Sequence, residues 1–199
     1  IGISLKQVER TDANLTEVNM GEVKRQATFN GIYAKSFTSL DVWMYTSGVT
    51  LSIQFRDTSG NAGLTWQGEV IGSAAKHGKI GGGVLESIAI KNSTLTKFPY
   101  TNAQLLSVSR KPTPAFLNEL YELHLTLGGD EDKNNFIKKA KANKIGKTLG
   151  YDWRFSKYLS MFFVAHLESS KSSAHKICDN IAAYSMSESN DSAPHVVYK

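Results

Sequence analysis

A single cysteine, Cys178, stands in the 199 residues. One thiol excludes an intramolecular disulfide framework and any zinc site made of several thiolates, and it fits a reducing compartment. The five histidines, His77, His124, His166, His175 and His195, form no H-x-x-x-H or H-x-H pair, so a histidine zinc site is not indicated either. The longest strongly apolar run, Tyr158 to Leu167, is half the length a membrane-spanning helix needs. The first residues, IGISLKQVER, lack the basic start and long apolar stretch of a signal peptide. No G-x-S-x-G elbow, no G-x-x-x-x-G-K-[ST] loop and no G-x-G-x-x-G after a strand occurs, which argues against a serine hydrolase and against ATP or NAD binding. Proline is scarce and charged residues make up 21% of a chain that is 41% hydrophobic, a composition of ordered rather than disordered protein.

What the chain does have is an excess of positive charge, +5 overall, and that excess is concentrated. Between Lys133 and Lys157 eight basic residues face Asp152 alone, a local net charge of +7. A patch of this kind attracts polyanions, nucleic acid above all. The same run also reads as the solvated face of a lysine-rich helix.

The pattern of apolar residues divides the chain. Residues 1–100 read as β-rich. Ile1, Ile3 and Leu5 share one face of a strand over Ile1 to Val8, with Lys6 on the other. Val42 to Thr46 and Val49 to Phe55 are expected as strands joined by a turn at Ser47-Gly48, with a third strand over Leu64 to Ile71. Residues 101–199 read as α-rich. Thr113 and Pro114 start a helix with Phe116, Leu120, Leu123 and Leu127 on one face, stopped by Gly128-Gly129. A polar helix follows over Asp130 to Asn143, then one capped by Asp152 with Phe155, Leu159, Phe162 and His166 inward. Another starts at Ser172 or Ser173. His195 to Lys199 is expected as a short final strand returning to the sheet. The expected fold is a single α+β domain: a mixed or antiparallel N-terminal sheet covered by C-terminal helices.

Three places carry residue types suited to phosphodiester chemistry. Asp41 precedes a strand, Gln54 and Arg56 share one face of the next, and Glu69 lies on the third. With Lys6, these are the types a Mg²⁺-dependent phosphodiesterase uses: Asp41 and Glu69 as metal ligands, and Gln54 or Lys6 beside the attacking water. They equally read as a turn cap and exposed strand residues. Lys76, His77 and Lys79, followed by Gly81 to Gly83 and a helix expected near Val84, read either as a phosphate cradle or as a flexible connector. In the basic run Lys138, Lys139, Lys141, Lys144, Lys147 and Arg154 are the candidate backbone-binding residues, and Tyr151 and Trp153 read either as core or as stacking partners for bases. Cys178 reads as a small buried apolar group.

The stretches GISLKQV, IQFRD and TWQGEVIGSAAKHGKIGGG, with the closing S-x-P-H-V-x-Y-K pattern, resemble a group of tailed-bacteriophage proteins. Within that group the G-[IV]-S-L-K strand is similar to the lysine-bearing strand of PD-(D/E)xK nucleases. The resemblance implies a DNA-acting protein of the host cytoplasm or phage particle, with Lys6 at the lysine position. The chain departs from the nuclease pattern at Ser4, where that family has Glu or Asp, and it offers no upstream aspartate. It therefore reads as a fragment or processed product of a nuclease, as a nuclease whose acids come from Asp41 and Glu69, or as a non-catalytic DNA-binding or particle-associated protein.

Overall fold

Alternating apolar residues require a sheet with one covered face, and a helix apolar on every side requires burial on every side. The computed structural model meets both needs with the same two elements. It describes residues 15–18, 28–33, 42–47, 51–57, 66–72, 78–146, 148–185 and 195–198. Five antiparallel strands, β2 (Thr28–Tyr33), β3 (Val42–Ser47), β4 (Leu51–Asp57), β5 (Trp66–Gly72) and β6 (Gly78–Gly81), pair in sequential order. A separate two-stranded pair joins β1 (Leu15–Val18) to β9 (His195–Tyr198). The final strand thus forms as expected but pairs with β1 rather than with the main sheet. The strand expected over Ile1 to Val8 lies outside the described residues.

Six helices follow or cover the sheet: α1 (Gly82–Asn92), α2 (Asn102–Arg110), α3 (Pro114–Thr126), α4 (Lys133–Ala140), α5 (Gly150–Ser169) and α6 (Lys171–Ser185). A small hairpin of β7 (Lys144–Ile145) and β8 (Thr148–Leu149) leads into α5. The architecture is α+β, with antiparallel sheets and a helical C-terminal half. Among the described residues no helix is long and apolar enough to cross a membrane.

Local chemistry sets the helix ends. The Thr113 hydroxyl accepts from the Phe116 N–H with Pro114 at the first helical position, as the sequence indicates. Asp132, not Asp130, caps α4 by accepting from the Asn135 N–H. Asp152 sits inside the first turn of α5 instead of capping it, where a carboxylate still meets the positive end of the helix dipole. Ser170, two or three residues before the expected start, accepts from the Ser173 N–H at the beginning of α6. A capping box at Thr101 and Gln104 nucleates α2.

The centre is α5. From Trp153 to Met161 every residue is buried, so all sides of the helix are in contact. It packs against strands β2 to β5 on one side and against α2, α3 and α6 elsewhere. Trp66 of β5 pins the sheet to it: its indole N–H donates to the Ser160 hydroxyl at 2.8 Å and its ring meets Phe163 edge-on at 5.7 Å. On the helical side Glu119 of α3 accepts from the hydroxyls of Tyr100 (2.8 Å) and Tyr158 (2.5 Å). Burial together with that carboxylate pushes the Tyr100 phenol up to about 12, and the Tyr158 phenol higher still. Both are held as neutral donors.

A helix buried on every side must match its charges internally. Arg154 is only 4% exposed. Its Nε donates to the Ser109 carbonyl at 2.7 Å, and its Nη1 to the carbonyls of Ala140 (2.6 Å) and Ala142 (3.3 Å). Those carbonyls belong to the C-terminal ends of α2 and α4, where helices leave acceptors unpaired and carry partial negative charge. One guanidinium therefore ties two helix ends to the core helix. Gly150 allows the approach, since a Cβ there would fall 2.0 Å from the Ala142 oxygen. Arg154, read from the sequence as a contact to nucleic acid, is corrected by this placement to a buried clamp. Lys157 is fully buried as well. The +7 run is not one surface.

Two predictions follow from this core. Arg154→Leu removes the donors and leaves three carbonyls without them, so it should cost about 3 kcal/mol or more. Urea unfolding should show the midpoint shift with an unchanged slope, whereas Lys138→Leu on the exposed side should be near neutral.

The second concerns His124, 2% exposed, its ring tilted against that of Phe136 with centroids 4.9 Å apart. Among the described residues neither ring nitrogen has a hydrogen-bond partner. Burial, reinforced by the Lys157 charge and opposed by Glu131 and Asp130, holds its pKa below the ordinary 6.5. The unfolded chain takes up this proton first as pH falls. The neutral form's contribution is therefore complete above about pH 6.5 and is lost as pH drops from there toward the lower folded value. Denaturant titrations at pH 7.5 and pH 5 should show wild type losing stability, and His124→Leu losing measurably less. The remainder includes His166, whose pKa burial lowers in the same sense.

Candidate functional site

Antiparallel register brings several of the sequence candidates into line. Gln54 of β4 stands opposite Glu69 of β5, and Glu69 stands opposite Lys79 of β6. The row continues on the other side through Trp43 and Tyr33. Two positions along, Arg56 stands opposite Gln67, which stands opposite Gly81. With adjacent strands about 4.8 Å apart, Gln54, Glu69 and Lys79 fall within about 10 Å of backbone. Alternation places all of these positions on one face of the sheet.

The opposite face carries the rows Ile32–Met44–Ile53–Val70 and Val42–Phe55–Gly68–Ile80, together with Trp66. Since Trp66 is bonded to α5, this apolar face is the one the central helix covers. The polar row is the other. Its composition, two aromatics, two amides, two cations and one carboxylate, is not what packing against a helix demands.

The remaining candidates separate. Lys6, Asp41, Lys76, His77 and Lys147 lie outside the described residues. Lys138, Lys139, Lys141 and Lys144 are exposed on and just after α4, a helix that packs on α3. Lys139 is already paired with Glu131. Lys133 lies 5.7 Å from the centre of the Tyr121 ring. Trp153 is fully buried and takes no part in any surface, while half-buried Tyr151 has the Arg110 guanidinium 5.7 Å from its ring centre. Cys178 is buried and its thiol is pushed up to about 12 by burial, the behaviour of an inert core group. Among the described residues no group of three or more His, Cys, Asp or Glu gathers to hold a metal.

The glycine-rich segment is not a loop throughout. Gly78 to Gly81 is strand β6, and α1 begins at Gly82, two residues before the expected start. Gly81, with extended backbone, occupies the N-cap without a side-chain bond. Beside this strand-to-helix joint lies a cavity of about 450 Å³. Its wall is apolar, from Trp66, Phe98, Phe155 and Leu159, and its polar groups come from Gln67, Glu86 and Asn102. Trp66 and Gln67 belong to opposite faces of β5, so the cavity sits at the end of the sheet and reaches round it. No sequence signal marked Glu86 or Asn102. They enter the site only because β6 turns directly into α1 and because α2 starts nearby.

Comparison with family models, with curated proteins and with solved structures yields no match to this chain.

The glycines at the joint differ in what they allow. A Cβ at Gly82 would lie 2.7 Å from the Trp66 ring and 2.9 Å from its carbonyl oxygen, whereas one at Gly83 meets nothing within 4 Å. Gly82→Ala should therefore destabilise by about 1–3 kcal/mol and shift the Trp66 fluorescence. Gly83→Ala should leave both unchanged, and thermal melts with emission spectra of the two variants test the difference.

Proposed function

We propose that the protein acts on DNA, holding a strand along the polar face of the five-stranded sheet and hydrolysing phosphodiester bonds at the Gln54–Glu69–Lys79 row with Mg²⁺. The observation that carries this reading is the register. Residues chosen from sequence for their chemistry, on three separate strands, occupy one line of one face. The similarity of the GISLK, IQFRD and WQGEVIG stretches to tailed-phage proteins with a nuclease-like strand supports the same class.

Mg²⁺ is commonly held by one or two carboxylates together with substrate phosphate oxygens, and Glu69 on β5 would supply one such carboxylate. Bound there it would supply charge neutralisation and a more acidic water. The chain's own residues do the rest. Lys79 and Arg56 offset the charge that builds on the phosphate, Gln54 orients water by hydrogen bonding, and Tyr33 and Trp43 provide π-faces along the row.

A second reading is favoured by one observation: among the described residues the row contains a single carboxylate, and no acidic cluster accompanies it. On this reading the protein is a DNA-binding or particle-associated protein that binds without turnover.

Cleavage and binding assays on single-stranded and duplex DNA, with and without Mg²⁺, separate the two. Hydrolysis reduced at least about a hundredfold by Glu69→Gln, with binding retained, is the expected result. Lys79→Ala and Arg56→Ala should each weaken binding and reduce the salt slope by about one. Full cleavage by Glu69→Gln and Lys79→Ala would remove this site. Salt-dependent binding without cleavage selects the second reading, and no binding at low salt removes both.

A further inference from the structure

We infer that the cavity at the β6–α1 joint is a nucleobase pocket, selective for guanine, that receives one base of the strand lying on the sheet. The inference rests on the nucleic-acid reading of the polar face and adds to it a base-reading element. Three observations carry it.

First, the cavity has the build of a ligand site. Its volume of about 450 Å³ lies within the range of about 300–1,000 Å³ that small ligands occupy, and an aromatic and aliphatic wall is interrupted by a few polar groups. Trp66, Phe98 and Phe155, each at most 6% exposed, form an apolar floor on which the edge of a planar ring can rest. The one polar atom of that wall, the Trp66 indole nitrogen, is already satisfied by Ser160.

Second, the polar groups are uncommitted. Among the described residues the side chains of Gln67, Glu86 and Asn102 make no hydrogen bond or ion pair with the chain. Contrast Glu119, whose two oxygens are both engaged by tyrosines. Two amides, each with donor and acceptor, and one acceptor-only carboxylate match the edge of a base. Guanine is the base that presents two adjacent N–H donors, and a carboxylate accepts from both. Adenine and cytosine offer one exocyclic amine beside an acceptor that would repel the second oxygen.

Third, the cavity is continuous with the proposed strand track. Gln67 and Gly81 both line it, and both stand in the cross-strand row that includes Arg56, next to the Gln54–Glu69–Lys79 row. A backbone held at Arg56 and Lys79 therefore passes the mouth of the cavity. Among the described residues nothing closes the mouth: neither Gly81 nor Gly83 has an atom within 4 Å of where a Cβ would sit, and neither has the positive φ that would demand glycine. Glycine at positions that neither packing nor backbone requires leaves room for another molecule to approach the chain.

Calorimetric titration of the full chain with guanosine, adenosine, cytidine and thymidine is the test, together with binding of an oligothymidylate carrying one guanine or one abasic position. Guanosine should bind in preference to the other three, a single guanine should strengthen oligonucleotide binding, and Glu86→Gln should weaken both about tenfold. Asn102→Ala should weaken guanosine binding without changing the melting temperature, since neither side chain supports the fold. If oligothymidylate binds with a strong salt dependence but guanine, abasic position and Glu86→Gln make no difference, the base pocket is overturned and the sheet reading stands. If guanosine binds in a Glu86-dependent way while no oligonucleotide binds, base recognition stands and the strand track is overturned. Equal binding of all four nucleosides, unaffected by Glu86→Gln, also overturns it.

Discussion

The burial of α5 on every side is the constraint from which the other features follow. A helix with no solvent face cannot leave a charge unmatched, and Arg154 is matched by carbonyl oxygens at the ends of two other helices. The usual loss from burying a cation is offset by acceptors that would themselves be orphaned. The arrangement fixes where α2 and α4 end relative to α5. Ser160, on the same helix, fixes the sheet through Trp66. One element thus sets both the helical layer and the strands.

That arrangement also divides the sheet into two faces with different duties. The apolar face is consumed by α5, leaving the polar face as the place where chemistry-bearing residues stand together. Glu69 and Lys79 are register partners on neighbouring strands rather than alternate positions of one strand. The basic residues of α4 are exposed on a different layer.

Much of the fold is legible in the chain because it rests on local rules. The strands around residues 42–72 follow simple alternation, and α3 follows from Thr113-Pro114 and a four-residue apolar repeat. Three things were not legible. The Asn30-Gly31 pair carries every mark of a turn but lies inside β2, where the register with β3 shifts between Phe29 and Gly31, a bulge that tolerates such residues. Helix α2 is short and mixed in polarity, and only its Thr101-x-x-Gln104 box announced it. The charge count over residues 133–157 treats all cations alike, yet Arg154 and Lys157 are three apart on a helix packed on every side over that stretch and so are buried, while Lys138, Lys141 and Lys144 are exposed. Candidate residues found by type alone were brought into one row only by strand pairing, and the cavity residues, spread over β5, α1, α2 and α5, share no sequence signature.

The bond from Trp66 to Ser160 spans 94 residues. During synthesis at about 5–20 residues per second, the strands emerge roughly 5–20 s before the helix that covers them. Through that interval the rows around Ile32, Met44, Ile53 and Val70 have no partner layer from within the chain. A chain cut before α5 is therefore expected to aggregate rather than to persist as a folded sheet.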